Sequence, residues 1–168
     1  MTATTSPPDA TLRELLGTVG DAMTCKLVLL DADTPADSAA RRLERAGVSG
    51  APVVDRGRVV GVATLRDLLT PLAPLAPTTG PFLRHEHHLA GIRVRELMTN
   101  EPATARSDWP LARAVLLLDE AGINRLPVVD PSGRPVGILT RDDVLRAIAR
   151  HLRPGQPTVP GGSIMEAD

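Results

Sequence analysis

Two short motifs carry the chain's clearest chemistry, Thr64-Leu-Arg-Asp67 and Thr140-Arg-Asp-Asp143. Each stands where a strand-like run gives way to a helical pattern. A carboxylate there offers two acceptor oxygens, which match the adjacent hydroxyl donors of a ribose. The threonine three residues earlier brings a hydroxyl to the same end, and the free amides of a helix start suit a phosphate. T-x-x-D ahead of an apolar run is equally a capping signature. Capping and binding are compatible, so the motif leaves both open.

Other reactive groups are sparse. Arg84-His85-Glu86-His87-His88 gathers metal-ligating types, but the spacing matches no standard zinc motif. It also lies among Pro71, Pro74, Pro77 and Pro81 rather than on a firm helix. No metal site is expected there; the alternative is a metal-binding stress-response protein that adds Cys25 or His151 to these imidazoles. Cys25 has the cationic Lys26 beside it, yet no histidine is fixed near it. The chain contains no Gly-x-Ser-x-Gly elbow, no phosphate loop ending in Gly-Lys-Ser/Thr and no Gly-x-Gly-x-x-Gly. A non-catalytic protein is expected.

The elements that must position the two motifs repeat. Val19 to Thr24 (VGDAMT) recurs as Val94 to Thr99 (VRELMT), an offset of 75. The same offset carries Asp33-Thr34-Pro35 onto Asp108-Trp109-Pro110 and Ala46-Gly47-Val48 onto Ala121-Gly122-Ile123. It also carries Pro52-Val53-Val54-Asp55 onto Pro127-Val128-Val129-Asp130. One residue inserted in the following turn makes the offset 76, and Gly61 to Asp67 then meets Gly137 to Asp143. A register held through five segments is a duplication.

Each copy reads strand, helix, strand, strand, helix. Leu27–Leu30 is a short apolar run fit for a strand, and Pro102–Ala105 is its weaker partner. A helix follows, opened by Asp or Thr with proline in its first turn. Its apolar stripe is Ala36, Ala39, Ala40, Leu43 and Ala46 in one copy, and Leu111, Ala114, Val115, Leu118 and Ala121 in the other. Gly47 and Gly122 stand where a left-handed cap is wanted. Hairpins Ala51–Val54 with Val59–Thr64, and Leu126–Val129 with Val136–Thr140, come next, before helices over about Leu65–Leu72 and Arg141–Leu152. Two copies packed sheet to sheet would share one core. Leu65, Leu68, Leu69, Val144, Leu145 and Ile148 on the closing helices look exposed enough to need a second copy, so a homodimer is expected.

Composition bounds the class. The 168 residues include 19 basic and 20 acidic side chains, so a phosphate-wrapping surface is not the default and no nucleic-acid partner is expected. One tryptophan, one phenylalanine and no tyrosine leave little for stacking bases. One cysteine excludes an internal disulfide framework and fits a reducing compartment. No run approaches a membrane span, and the opening residues lack signal-peptide character, so a cytoplasmic protein with no membrane partner is expected. A single lysine among the 19 basic residues points to a GC-rich, bacterial genome.

Met-Thr at the start, a Pro-Val-Val-Asp strand and Gly-h-h-Thr-x-x-Asp before the last helix, occurring twice in order, resemble a tandem pair of CBS domains, a Bateman module. The resemblance covers roughly Val19 to Ile148 apart from the linker. It implies an α/β fold (α+β by strict sorting), two β-α-β-β-α repeats packed as a pseudo-twofold pair. The expected divisions are 1–18, a segment with a short helix over Thr11–Leu16; 19–70, repeat one; 71–91, a Pro/His-rich linker; 92–152, repeat two; and 153–168, a flexible tail.

The resemblance further implies a regulatory module that binds an adenosine-containing ligand, AMP, ADP, ATP or S-adenosylmethionine, between the repeats and modulates an effector protein. No cofactor is required. Thr64, Asp67, Thr140 and Asp143 are then ribose partners. The stretch before Pro52 and Pro127 faces the ligand: Ser49 and Gly50 in one copy, Asn124 and Arg125 in the other. Arg125 matches the phosphate-contacting arginine of related modules, whereas Gly50 departs from it. Arg66 and Arg141 are alternative phosphate partners. Val28 and Ala103, with Val62 and Ile138, are candidate adenine walls, and Thr24 and Thr99 start their repeats near the same cleft. The departure at Gly50 favours the alternative, a structural or interaction module without a ligand.

Overall fold

In the computed structural model, residues 16–70 and 91–152 are described. The segments carrying the expected leading helix before Leu16, the histidine patch and the tail lie outside them.

In repeat one, a single turn of helix (α1, Val19–Ala22) leads to a two-residue strand (β1, Leu30–Asp31) and a helix (α2, Ala36–Arg45). A hairpin (β2, Gly50–Asp55; β3, Arg58–Thr64) and a short helix (α3, Leu65–Leu69) complete it. Repeat two runs in parallel: α4 (Val94–Leu97), β4 (Thr99–Asn100), α5 (Leu111–Glu120), β5 (Arg125–Val129), β6 (Pro135–Thr140) and α6 (Arg141–Leu152). The architecture is mixed α/β, as expected.

Local chemistry explains the joints. Arg56 and Gly57 adopt φ of 48° and 76°, the positive values of a two-residue hairpin turn. Gly47 and Gly122 cap α2 and α5 at φ of 66° and 62°. Three local expectations fail. Pro102–Ala105 forms no strand and contributes only the single bridge between Ala105 and Val128. Leu27–Leu29 form no ladder, because β1 pairs with β2 only at Leu30–Val53 and Asp31–Val54. Nor do Asp33, Thr34 or Asp108 cap the helices that follow, since Pro35 and Pro110 occupy the cap positions and supply no side-chain acceptor.

What replaces those caps reveals the topology. The Ala36 amide at the start of α2 donates to the Ile92 carbonyl at 2.9 Å, and the Leu111 amide of α5 to the Gly17 carbonyl at 3.0 Å. Each acceptor belongs to the segment leading the other repeat. The exchange continues: Val19 and Gly20 amides donate to Trp109 and Ser107, and those of Val94 and Arg95 to Thr34 and Ala32. β4 then adds to β3 through Val62–Thr99, while Thr24 bridges Ile138 of β6. The sheet order is therefore β1-β2-β3-β4, with β5-β6 separate.

Packing follows the exchange. The expected shared core is instead two buried clusters. One is built on Leu30, Leu43, Val53 and Leu68 and takes in Val94 from the second leader; the other, on Leu111, Leu126, Val128 and Leu139, takes in Val19 from the first. Burying such a valine contributes about 1.5–3 kcal/mol. Met98 lies over Gly61 and Met23 over Gly137, so that a Cβ on Gly61 would fall 2.9 Å from the Thr99 carbonyl oxygen and one on Gly137 3.0 Å from Met23 Cγ. These glycines are sockets for the leaders' thioethers.

The closing helices are better covered than the sequence suggests. Leu68 and Val144 are buried, and Leu65, Leu69 and Ile148 pack against the clusters, leaving Leu145 exposed at 63%. The leaders do part of the covering assigned above to a second copy.

Candidate functional site

The exchange creates a cleft of about 610 Å³ where the repeats meet. Repeat one lines it with Thr24, Lys26 and Val28 ahead of β1, and with Ser49, Gly50 and Pro52 at the start of β2. Repeat two contributes Asn124 and Arg125 at the start of β5, Ile138 and Thr140 of β6, and Asp143 and Arg146 of α6. Ten of the expected binding residues therefore meet: Thr24, Val28, Ser49, Gly50, Asn124, Arg125, Ile138, Thr140, Arg141 and Asp143. Thr64, Asp67, Thr99 and Ala103 are not among the lining residues. Thr99 sits exposed on β4, and Ala103 packs on the second cluster.

Asp143 is the cleft's best-connected group, only 3% exposed. Its Oδ2 accepts from the Thr140 amide at 2.8 Å and from Thr140 Oγ1 at 2.6 Å. Its Oδ1 accepts from Thr24 Oγ1 at 3.2 Å and from Arg146. Burial pushes the carboxyl pKa up, but the bonds from Thr140 and the Arg146 guanidinium outweigh it and hold the group below its ordinary value. Asp143 stays ionised, and its two oxygens have firm partners.

Asp67 makes the equivalent box: its Oδ2 accepts from the Thr64 amide at 2.8 Å and Thr64 Oγ1 at 2.7 Å. Asp67 Oδ1 has no hydrogen-bond donor among the described residues. Thr18 and Asp21 form a third such box at α1, with the same distances of 2.8 and 2.7 Å. That box lines no part of the cleft, so T-x-x-D alone is a helix-start device, and neighbours decide whether it can face a ligand.

The cations divide by commitment. Arg141 Nε donates to the Ile123 carbonyl at 3.1 Å, tying it to the end of α5. Arg66 is exposed and does not line the cleft. Arg125 Nη2 donates to Ser49 Oγ at 2.8 Å, across the boundary between repeats. Burial lowers its pKa while the Asp67 carboxylate raises it. Lys26 and Arg146 are lining residues the sequence reading missed as ligand candidates. The spacing of Asp143 and Arg146, one helical turn, was a signal that could have found the second.

The walls can take an apolar, planar group. Val28 and Ile138 line the cleft, whereas Val62 pairs with Thr99 outside it. No group of three His, Cys, Asp or Glu side chains among the described residues is placed to hold a metal. Cys25 is a free, exposed thiol between two lining residues. No described helix is long and apolar enough to cross a membrane.

Known proteins share this fold. The solved structure of CBSX2 from Arabidopsis thaliana is 38% identical, with a TM-score of 0.67 over 79% of this chain and 94% of that one. CBSX2 in complex with AMP gives 37% identity and a TM-score of 0.67 over 81% and 98%. The CBS domain pair of protein MJ0100, in complex with 5-methylthioadenosine and S-adenosyl-L-methionine, is 25% identical, with a TM-score of 0.66 over 80% and 98%. A CBS domain-containing protein of Dictyostelium discoideum is 32% identical over 80% of this chain and 93% of its own. The chain spans 63% of the full chloroplastic CBSX2. The CBS-domain family model matches residues 19–73 and 94–150. With the family's unit present twice, the chain belongs to the CBS-domain family as a tandem pair.

Proposed function

We propose that the protein is a cytoplasmic, non-catalytic regulatory module that binds an adenosine-containing ligand, a nucleotide such as AMP or S-adenosylmethionine, in the cleft containing Asp143. The observation that carries this reading is the convergence of ten expected binding residues from both repeats on one cleft of about 610 Å³. AMP and S-adenosylmethionine in the relatives' complexes support the ligand class. Asp143 and Thr140 face the ribose, Val28 and Ile138 flank the adenine, and Lys26 meets the phosphate. Asp143 Oδ1 exchanges Thr24 or Arg146 for a ribose hydroxyl, so binding frees Arg146 toward the same phosphate.

A ligand touching both repeats favours one relative arrangement of them, by its difference in affinity between arrangements. That change is passed to an effector protein, with the module acting as a homodimer. A second reading, an interaction module without a ligand, rests on the full complement of hydrogen bonds that Asp143 already makes.

Thermal unfolding of tag-free protein with AMP, ADP, ATP, NAD, S-adenosylmethionine or GTP decides between them. At a hundredfold excess over Kd, a native-state ligand stabilises by about 2.7 kcal/mol. That is a shift of a few degrees at this chain length. The stabilising ligand should also slow alkylation of Cys25, which sits at the cleft edge. A flat panel with unchanged alkylation sinks the sensing reading and leaves the interaction module.

A further inference from the structure

The basic side chains of the cleft have no basic counterparts in the duplication. Lys26, the chain's only lysine, lines the cleft together with Arg125, Arg141 and Arg146. At the offsets of 75 and 76 the equivalent residues are Glu101, Gly50, Leu65 and Thr70. Both repeats build their hairpin and closing helix with either set, so the fold does not call for these charges. Nor does composition, since the whole chain carries a formal net charge of −1.

Against the four cations the cleft sets two carboxylates, Asp142 and Asp143, which leaves a surplus of two positive charges where the repeats meet. Asp143 is already filled by Thr140, Thr24 and Arg146. Arg141 donates to neutral groups, the carbonyls of Ile123 and Leu118, at 3.1 and 3.4 Å. Arg125 likewise donates to the neutral Ser49 hydroxyl at 2.8 Å. Burial bears on the Arg125 charge more than the Asp67 carboxylate does, and Asp67 lines no part of the cleft. Lys26 has no hydrogen bond or ion pair among the described residues.

Adenosine-containing ligands differ most in charge. A nucleotide's phosphate brings roughly two negative charges and three strong acceptor oxygens. S-adenosylmethionine brings a sulfonium and an ammonium against a single carboxylate, and is a net cation. The only lining carboxylate open to that ammonium is Asp142, which stands beside Arg141. We infer that the cleft accepts phosphate-bearing adenosine nucleotides and rejects S-adenosylmethionine, with Lys26 and Arg125 as the specificity-determining residues. The guanidinium fork matches phosphate oxygens, and the lysine adds a point charge on a flexible stem from the other repeat. This inference rests on the nucleotide-binding reading above and narrows it to one ligand class.

Titration calorimetry of the full chain with AMP, ATP, adenosine and S-adenosylmethionine tests it. One hydrogen bond to a charged group, at the low end, is worth about tenfold in affinity. The wild-type protein should therefore bind AMP or ATP at least about tenfold more tightly than adenosine or S-adenosylmethionine. Lys26→Gln combined with Arg125→Gln should shrink the preference for nucleotide over adenosine by at least about tenfold. Glutamine keeps a donor for Ser49, and circular dichroism checks the fold. If the double variant does not fold, Lys26→Gln alone carries the test, because that side chain has no partner among the described residues to lose. S-adenosylmethionine binding as tightly as the nucleotides, or an unchanged preference in a folded variant, overturns the inference and leaves the binding reading standing. A wild-type chain that binds none of the four overturns the binding reading and this inference with it.

Discussion

Replacing each motif carboxylate in turn should expose how differently the two are used. Asp67→Ala removes a cap whose oxygen accepts from the Thr64 amide and hydroxyl at 2.8 and 2.7 Å. Losing such a cap costs about 1 kcal/mol. Asp143→Ala removes the same cap, at 2.8 and 2.6 Å, and also the acceptor for Thr24 and Arg146. A hydrogen bond to a charged group contributes about 1.5–3 kcal/mol, so Thr24 adds an amount in that range. Arg146 is 66% exposed. Its pair therefore adds only about 0–1 kcal/mol.

The expected losses are thus about 1 kcal/mol for Asp67→Ala and about 3 kcal/mol for Asp143→Ala. With a urea m-value of about 1–3 kcal/mol/M, the two midpoints should separate by about 1 M. Equal midpoints for two folded variants would refute the reasoning, because they would mean that the bond between leader and α6 contributes nothing. The acid limb gives an independent check. The Asp143 pKa is depressed in the folded chain, so its contribution is present above the unfolded carboxylate value and is lost as pH falls through the folded one. Asp143→Asn should flatten the stability profile in that acidic window and leave neutral-pH slopes unchanged.

Two further outcomes follow from the exchanged leaders. Gly137→Ala puts a methyl group 3.0 Å from Met23 Cγ, an overpacking that should cost about 1–3 kcal/mol. Met23→Ala should relieve part of that cost, so a double-mutant cycle that is strictly additive counts against the socket. A chain that begins at residue 26 should lose its second repeat's cooperativity before its first's, because Val19 belongs to the cluster around Leu126 and Leu139. Hydrogen exchange by mass spectrometry reads this directly; equal protection losses in β2 and β5 would contradict it.

Much of the fold is legible because its signals are local. Helix periodicity, the turn at Arg56-Gly57 and the glycine caps at Gly47 and Gly122 depend on neighbours in sequence, and each stands where the sequence placed it. The leaders escape such reading. An offset of 75 is equally compatible with Met23 packing in its own repeat or in the other, since periodicity carries no information on which copy is touched. The apolar run Leu27–Leu29 misled for a related reason: a strand needs a partner in register, and β2 offers one only from Leu30.

At the cleft, the sequence placed Thr140, Asp143 and the stretches before Pro52 and Pro127 together through a resemblance rather than through spacing. It could not foresee that Arg125 reaches Ser49, because where a side chain crosses between repeats is set by packing around Gly50.

The two leaders are related by near symmetry in the finished molecule, but synthesis treats them differently. Val94 leaves the ribosome after its receptor, the cluster around Leu43 and Val53, has been made. Val19 emerges first, and Ile138, which bridges Thr24 of the same leader, lies more than a hundred residues downstream. At about 5–20 residues per second, the nascent chain carries that segment uncovered for on the order of ten seconds. Whatever shields nascent apolar segments in the cell acts on the first leader and has no corresponding work at the second.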